Sequence, residues 1–340
     1  MRLALVGDVM LGRYVNITLQ SQPPDYPWGD TLPILQMADA RLCNLECALA
    51  DGGAPWAVTP KVFHFRSDAK NVAVLRAAGV NMVSLANNHA LDYGYDALDE
   101  TLRTLDAAGV AHAGAGHDLA EARRPASITV GGATVGMLAF TDNEPGWAAT
   151  PARAGTHYIP VTLRDPRAQG LLAAVREAKA TVDALVVSAH WGSNWGYQPP
   201  AEHIPFARAL IEAGADVVFG HSGHVFRGVE FYQGRPILYC AGNFVDDYAV
   251  DSVERNDESG VFMLEWEAGA TRAVRMYPTI IEDCQARLAQ GSAADAIVAK
   301  LRRLSEERGT AAEWDEAERS LLLRHGAATG AGAAAPRPMA

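Results

Sequence analysis

Polar side chains recur directly after short apolar runs of this 340-residue chain. Asp8 follows the run Leu3–Val6, and His190 follows a run that ends at Ala189. Carboxylates, amide oxygens and imidazoles together suit borderline to hard divalent ions, whereas a thiolate site would need cysteines. The pattern therefore predicts a site for one or two ions of the Mn, Fe, Zn or Mg class. Its remaining members are Asn44, Glu46, Asn87, Asn88, His89, His221 and His224.

These residues can share one site only if the fold brings several strand ends together. Apolar runs alternate with amphipathic stretches, three of which end at Gly79, Gly109 and Gly214. This alternation predicts an α/β fold, in which the carboxyl ends of the strands converge on a ligand-binding crevice. The predicted strands are Leu3–Val6, Ala40–Leu45, Met82–Leu85, Thr134–Phe140, Ala184–Ala189, Asp216–Phe219, Pro236–Cys240 and Val261–Trp266, and the predicted helices are Asp68–Ala78, Tyr93–Ala108, Arg167–Ala180 and Ala201–Ala213.

Length and composition predict one catalytic domain with additions at its carboxyl end. The chain is 49% hydrophobic and 20% charged, which is enough apolar material for a sizeable core. We assign residues 1–280 to the catalytic domain, because the polar residues at strand ends lie between Asp8 and Asn243. Residues 281–325 are predicted to be a helical appendage, and the Ala-, Gly- and Pro-rich residues 326–340 a disordered tail.

The charge balance excludes several classes of partner. There are 29 Lys and Arg against 40 Asp and Glu, a formal net charge of −11, so nucleic acid and anionic membranes are not expected partners. The four cysteines form no CxxC pair, which favours a reducing compartment. With no leader pattern at the start and no long apolar run, we expect a cytoplasmic protein. Monomer and homodimer both remain open.

A set of motifs in fixed order resembles a known family. The resemblance is to the bacterial CapA family, associated with poly-γ-glutamate capsule synthesis, and covers about residues 1–280. That family is similar in fold to calcineurin-like metallophosphatases, so the resemblance implies an α-β-β-α layered sandwich of mixed sheets. The motifs are Gly7-Asp8-Val9-Met10-Leu11-Gly12-Arg13, Asn44-Leu45-Glu46, Asn87-Asn88-His89, His190-Trp191-Gly192, Gly220-His221-Ser222-Gly223-His224 and Gly242-Asn243-Phe244.

The resemblance also implies roles for single residues. His89 matches the histidine that donates a proton or stabilises charge. Two departures leave open whether one ion or an unequal pair is bound. Met10 stands where the metallophosphatase pattern has a metal-binding histidine, and Ser222-Gly223 separates two histidines that the pattern places closer together. The residues that match the metal-binding positions are Asp8, Glu46, Asn88, His190, His221 and His224.

Further residues near these motifs have two interpretations each. Arg13 either supplies positive charge for an anionic substrate or forms a surface ion pair, and Asp92 either caps a helix or orients His89. Trp191 and Trp195 would suit a peptide substrate if exposed, and would otherwise pack in the core. We predict catalytic roles for His89, Asp92 and Arg13. The predicted substrate-binding residues are Asn44, Asn87, Trp191, Trp195 and Arg227.

Three functions remain open at this point. The first is a metal-dependent hydrolase, in which activated water attacks a peptide, poly-γ-glutamate-like or phosphoester bond and His89 protonates the leaving group. The second is a peptide Cα epimerase acting on a ribosomal lasso-type precursor, with His89, His190 or Asp92 as acid and base. The third is a non-catalytic binding protein with a degenerate metal site.

Overall fold

The computed structural model describes residues 1–326, so the predicted tail lies, apart from Gly326, outside the described residues. Its strands are β1 (Arg2–Val9), β2 (Ala40–Leu45), β3 (Ala48–Leu49), β4 (Arg66–Ser67), β5 (Met82–Ser84), β6 (Ala111–Ala113), β7 (Ala115–Gly116), β8 (Ala126–Val130), β9 (Ala133–Thr141), β10 (Gly155–Thr156), β11 (Ala184–His190), β12 (Val217–His221), β13 (Val229–Tyr232), β14 (Arg235–Leu238), β15 (Asn243–Val245), β16 (Glu258–Glu267), β17 (Ala270–Glu282), β18 (Gln285–Leu288), β19 (Thr310–Asp315) and β20 (Ser320–His325).

The helices follow the predicted amphipathic stretches to within a few residues. The helix Gly94–Ala108 is capped by Gly109, whose φ of +69° is the left-handed cap conformation that glycine adopts at little cost. The helices are α1 (Arg13–Thr18), α2 (Leu32–Gln36), α3 (Val72–Ala77), α4 (Gly94–Ala108), α5 (Leu119–Ala122), α6 (Pro166–Lys179), α7 (His203–Ala213) and α8 (Gly291–Glu306), and short 3-10 turns cover Tyr26–Thr31, Ala69–Asn71 and Pro145–Trp147.

Two mixed sheets contain most of the strands. The larger has the order β19-β20-β17-β16-β1-β2-β5-β6, with β15 added beside β1 and β18 beside β17. Its strands β1, β2, β5 and β6 run parallel, and β16 pairs with β1 in the antiparallel sense. The second sheet has the order β13-β14-β12-β11-β9-β8, with a parallel centre and antiparallel edges.

Alternating apolar side chains bury both faces of each sheet. Leu5 and Met82 from the larger sheet and Val186 and Phe219 from the second belong to one core cluster between the sheets. The outer face of the larger sheet packs with α3 and α4, and the outer face of the second with α6 and α7. This order of layers confirms the predicted α-β-β-α sandwich of mixed sheets.

The predicted helical appendage is helical only in part. Gly291–Glu306 forms α8, whereas Thr310–Asp315 and Ser320–His325 form the strands β19 and β20 at the edge of the larger sheet. Antiparallel pairing of β20 with β17 buries Leu321 and Leu323 completely in the core between the sheets. The helix prediction over 310–325 is therefore wrong, because pairing with β17 decides a short apolar run that suits either structure.

Across residues 1–326, no helix combines the length and the apolar character needed to cross a lipid bilayer.

Gly7 holds β1 close to the segment that leads into β15. A Cβ added there would lie 1.7 Å from the carbonyl oxygen of Gly242. Gly7→Ala should therefore lower the free energy of unfolding by about 3 kcal/mol, because two backbones must separate. Gly170→Ala is the matched control, since its Cβ in α6 meets no atom within 4 Å and should be neutral or stabilising. Urea denaturation measures the free energy of unfolding of both variants. Equal stability of Gly7→Ala and Gly170→Ala would show that the close approach at Gly7 does not require glycine.

A buried histidine outside the candidate site should make the fold acid-sensitive. His157 is 5% exposed, its Nδ1 lies 2.9 Å from the carbonyl oxygen of Ala139, and burial lowers its pKa to about 4. As the pH drops from 6.5 to 4, His157 becomes protonated in the unfolded chain but stays neutral in the folded chain. The free energy of unfolding therefore decreases by about 3 kcal/mol over this range because of His157.

Urea denaturation at pH 7 and pH 4 measures this contribution. His157→Asn should lose less stability between the two pH values than the wild type does. His117→Asn is the control, because hydrogen bonds to Asp99 and Glu121 raise the pKa of His117 and its effect has the opposite sign. If His157→Asn loses as much free energy of unfolding between pH 7 and pH 4 as the wild type does, other groups cause the acid sensitivity.

Candidate metal centre and substrate cleft

Strand ends from both sheets meet at one place. In the larger sheet Asp8 pairs with Asn44 of β2 on one side and with Asn243 of β15 on the other. In the second sheet His190 of β11 pairs with His221 of β12. Parallel strands put these side chains at one edge of each sheet, and the two edges face each other. The predicted convergence of strand-end residues therefore describes this region of the fold.

Three of the predicted ligands form a compact triad. One ligand atom each from Asp8, His190 and His221 lie within 4.8 Å of one another, and all three residues are buried. The Nδ1 atoms of the two imidazoles are 2.8 Å apart, and His221 Nδ1 is 3.7 Å from Asp8 Oδ1. Ser188 Oγ lies 2.7 Å from His221 Nε2, which fixes the ring so that Nδ1 faces the triad.

Two buried asparagines lie behind the triad, and one of them holds its carboxylate. Asn44 Nδ2 donates to Asp8 Oδ1 at 2.8 Å and to Glu46 Oε2 at 3.0 Å. Asn87 Nδ2 donates to Asn44 Oδ1 at 2.9 Å and to the carbonyl oxygen of Leu45 at 2.8 Å. Both asparagines have no exposed surface. The prediction that Asn44 and Asn87 contact substrate is therefore wrong: Asn44 holds the carboxylates of Asp8 and Glu46, and Asn87 holds Asn44.

The electrostatics of the triad fit a divalent cation. Burial raises the pKa of Asp8 and Glu46, and within residues 1–326 no lysine or arginine nitrogen comes within 4.0 Å of either carboxylate. Burial also lowers the pKa of His190, and that of His221 to about 3, so both imidazoles are neutral at pH 7. Neutral imidazoles ligate metal, and buried carboxylates need a positive partner. The donor set is therefore suited to a metal ion.

His89 and Asp92 form an oriented pair beside the triad. His89 Nδ1 lies 2.5 Å from Asp92 Oδ2, which also accepts the backbone N–H of Phe65 at 2.6 Å. The ring of Phe65 stacks on the imidazole with a centroid distance of 4.1 Å. Burial lowers the pKa of His89 even though Asp92 acts in the opposite direction. The arrangement leaves Nε2 of His89 facing Asn88 and Glu46.

Asn88 connects the oriented histidine to the triad. Its Oδ1 lies 2.8 Å from His190 Nε2, and its Nδ2 lies 3.3 Å from His89 Nε2. One amide group therefore separates a candidate acid from a candidate ligand. Glu46 reaches the same space from β2, with Oε1 3.8 Å from His89 Nε2. Asn88 and Glu46 thus lie next to the triad, at the place where a second metal ion would have to bind.

His224 lies apart from the triad. Its Nδ1 is 2.9 Å from Asn243 Oδ1, and its ring faces those of Trp195 and Tyr248 at centroid distances of 5.9 and 5.4 Å. The turn that carries it from His221 contains positive φ angles of 95° at Ser222 and 52° at His224. That turn places the imidazole on the cleft wall, so the structure does not group His224 with Asp8, His190 and His221.

A cleft of about 570 Å³ opens above these residues. His89, Asn88 and His224 lie in its wall, so a bound molecule would reach the candidate acid and the edge of the triad. Arg13 and Trp195, two of the predicted substrate or catalytic residues, also line it. The cleft therefore joins the predicted chemistry to a space large enough for a small substrate.

Comparison with known proteins identifies the family. Residues 2–248 match the family model described as bacterial capsule synthesis protein PGA_cap. The chain belongs to this family. A probable polyglutamine synthesis accessory protein of Mycobacterium tuberculosis is 40% identical over 251 residues, which are 71% of this chain and 65% of that protein. The PGA biosynthesis protein CapA of Bacillus subtilis is 32% identical over 246 residues, 72% of this chain and 63% of that protein.

The family region spans less than two thirds of these relatives, and a solved structure matches more of the chain. The crystal structure of a hypothetical protein from Thermus thermophilus covers 82% of this chain and 98% of its own. Its TM-score is 0.50 and its sequence identity is 18%. At that identity the likeness shows a shared fold alone.

Two substrate-binding predictions fail in this PGA_cap chain. Trp191 has no exposed surface, its Nε1 donates to the carbonyl oxygen of Tyr239 at 2.9 Å, and its ring packs on His203 in the core beneath α7. Arg227 is 1% exposed, and its guanidinium donates to the carbonyl oxygens of Gly196 and Ser193. Arg227 therefore shapes the loop that carries Trp195, and neither side chain reaches the cleft.

Sequence reasoning missed several residues of this PGA_cap site. Lys61 and Tyr248 line the cleft from loops with no motif, so no sequence signal points to them. Asp142 follows β9 and could have been found by the strand-end rule that found the others. Its Oδ1 accepts the N–H of Gly192 at 3.0 Å, and burial raises its pKa to about 6. Asp142 therefore fixes the backbone just after His190 of the triad.

Proposed function

We propose that this chain is a metal-dependent hydrolase that cleaves an amide bond in a peptide-like substrate. The proposal is supported by one observation above all: a metal-type donor set and an oriented imidazole lie at the same cleft. A divalent ion held by Asp8, His190 and His221 would polarise the scissile carbonyl and acidify water. The proposed location is the cytoplasm, supported by four cysteines that are all free thiols.

The residues of the chain divide the remaining work between them. Asp92 accepts from Nδ1 of His89 and so fixes the tautomer and the direction of Nε2. Neutral His89 therefore carries a lone pair at Nε2, which takes a proton from the attacking water. The imidazolium so formed gives that proton to the leaving amine, beside Asn88 and Glu46. Asn44 and Ser188 keep Asp8, Glu46 and His221 in place through hydrogen bonds of 2.7–3.0 Å. The names of the relatives suggest a glutamate-containing amide polymer as one substrate of this class.

Metal analysis together with product analysis tests the proposal. The purified protein should contain about one equivalent of a divalent metal by elemental analysis. A panel of short peptides, oligo-γ-glutamates and phosphodiesters, followed by mass spectrometry, should show new amide termini that disappear on chelation. Released phosphate without new termini would move the proposal to phosphoester hydrolysis. A metal-free protein that releases no product would refute it.

One observation favours a second candidate, a peptide Cα epimerase. Two imidazoles from different strand ends, His89 held by Asp92 and His224 held by Asn243, both line the cleft. Two acid–base groups around one Cα are what removal and return of a proton require. Incubation of the peptide panel in deuterated water decides between the two reactions. Deuterium at Cα without cleavage supports epimerisation, and cleavage without deuterium at Cα excludes it.

A further inference from the structure

The mouth of the cleft is lined with exposed apolar side chains. Within residues 1–326, ten large hydrophobic side chains are exposed, and three of them, Val62, Phe63 and Trp195, line this opening. Phe63 is 58% exposed and Trp195 is 45% exposed. Single exposed apolar residues are ordinary on a protein surface, but their concentration at one opening marks a binding surface. Val58, Val250 and Val253 are also exposed and belong to neighbouring parts of the same segments, but they do not line the cleft.

Positive charge in the cleft is already balanced by the protein. Lys61 Nζ lies 3.4 Å from Asp92 Oδ1 and 3.6 Å from Glu144 Oε1, donates to the carbonyl oxygen of Asn88, and has a side chain only 7% exposed. Arg13 Nε lies 3.3 Å from Asp247 Oδ2. A run of substrate carboxylates would therefore meet no lysine or arginine in this cleft that lacks an acidic partner. In a chain of net charge −11, such a run is repelled rather than attracted.

Arg13 keeps part of its guanidinium available for a ligand. Its side chain is 35% exposed, and in the described part of the chain neither Nη atom forms a hydrogen bond. Its Cζ lies 5.8–5.9 Å from the ring centres of Phe63, Phe65 and Tyr248. The backbone of Arg13 has a φ of +50°, in the left-handed region that non-glycine residues rarely adopt. A guanidinium held among aromatic rings can still bind one carboxylate.

We propose that the cleft takes one residue of a peptide, with a single carboxylate on Arg13 and an apolar, preferably aromatic, side chain against Phe63 and Trp195. This inference rests on the proposed function, because it names the substrate class of the same site. The recognised group is then a single carboxylate beside an apolar side chain, and not a run of carboxylates. An apolar side chain gains by covering the exposed rings, whereas a second carboxylate would lie against them without a partner.

Binding of four small probes tests the inference on the metal-loaded protein and on its chelator-treated form. The probes are N-acetyl-Ala-Phe, its carboxyl-terminal amide, N-acetyl-Ala-Glu and tri-γ-glutamate, with Kd measured by isothermal titration calorimetry. N-acetyl-Ala-Phe should bind about tenfold more tightly than each of the other three. Tighter binding of tri-γ-glutamate, or equal binding of the acid and its amide, would overturn the proposal.

Variants separate the two contacts. Phe63→Ala should weaken N-acetyl-Ala-Phe about tenfold and leave N-acetyl-Ala-Glu unchanged, because only the aromatic contact is lost. Arg13→Gln should abolish the preference for the acid over the amide. Met37→Ala and Arg103→Gln change exposed side chains that do not line the cleft, and all four Kd values should stay as in the wild type. If Phe63→Ala weakens every probe equally, the aromatic subsite is wrong.

The result is distinguishable from failure of the proposed function. Probe preference is measured without turnover, so a purified protein that binds no divalent metal and cleaves no amide, but keeps the preference, would refute the hydrolase and retain the subsite. A metal-containing protein that cleaves amides but prefers tri-γ-glutamate would retain the hydrolase and refute the subsite.

Discussion

His190→Ala is expected to lower the affinity of the chain for a divalent ion by at least about 100-fold and turnover by about 1,000-fold. His190 contacts His221, Asn88 and Asn44 at once, so its removal opens the triad and frees the amide beside it. Elemental analysis after dialysis against a weak chelator measures the metal, and the peptide panel measures turnover.

His112→Ala is the matched control for the triad. His112 lies on β6, where its Nε2 is 3.1 Å from Asp106 Oδ1, and it has no contact with the triad. The control should retain the wild-type metal content. Asp8→Asn gives a second test that preserves side-chain volume, so a folding defect in His190→Ala cannot mimic the result. Wild-type metal content in both His190→Ala and Asp8→Asn would show that the triad is not the metal site.

Asp92→Asn is expected to reduce turnover by about 1,000-fold while leaving the metal content unchanged. The carboxylate accepts from His89 Nδ1, whereas an amide can present its NH2 group there and turn the ring to the wrong tautomer. A steady-state assay on the metal-loaded variant measures the loss, and elemental analysis confirms that the triad is intact.

A structural contribution of Asp92 must be separated from its effect on His89. The same Oδ2 atom accepts the N–H of Phe65, so Asp92→Asn also disturbs the loop over the imidazole. His89→Gln removes the acid but leaves Asp92 and that loop contact in place. The two variants should lose turnover to a similar degree and should melt at similar temperatures. An active His89→Gln would exclude His89 as the proton donor.

The positions of the triad residues could be predicted from the sequence because strand ends are marked by composition. Apolar runs that stop just before Asp8, His190 and His221 mark the carboxyl-terminal part of each parallel strand, and parallel strands end on one side. The partners of those side chains could not be predicted in the same way. Whether Glu46 faces a metal or Asn44 depends on angles within a shared site, which residue order does not record.

Other errors have simpler physical causes. Trp191 directly follows His190, and successive side chains of a strand point to opposite faces, so a ligand at 190 sends residue 191 into the core beneath α7. That rule was available from the sequence alone. No such rule predicts β19 and β20 from the sequence. Their short apolar runs suit a helix or a strand, and it is the pairing of β20 with the distant β17 that decides for a strand.

The triad draws its members from both halves of the sandwich. Asp8 belongs to the larger sheet, whereas His190 and His221 belong to the second sheet. A cation bound by all three would tie the two sheets together and would bind the folded chain alone. Binding of the cation would then stabilise the folded chain by about 4 kcal/mol when the free metal concentration is a thousand times its Kd. The supply of free metal in the cell would then raise the temperature at which the sandwich unfolds, independently of any reaction in the cleft.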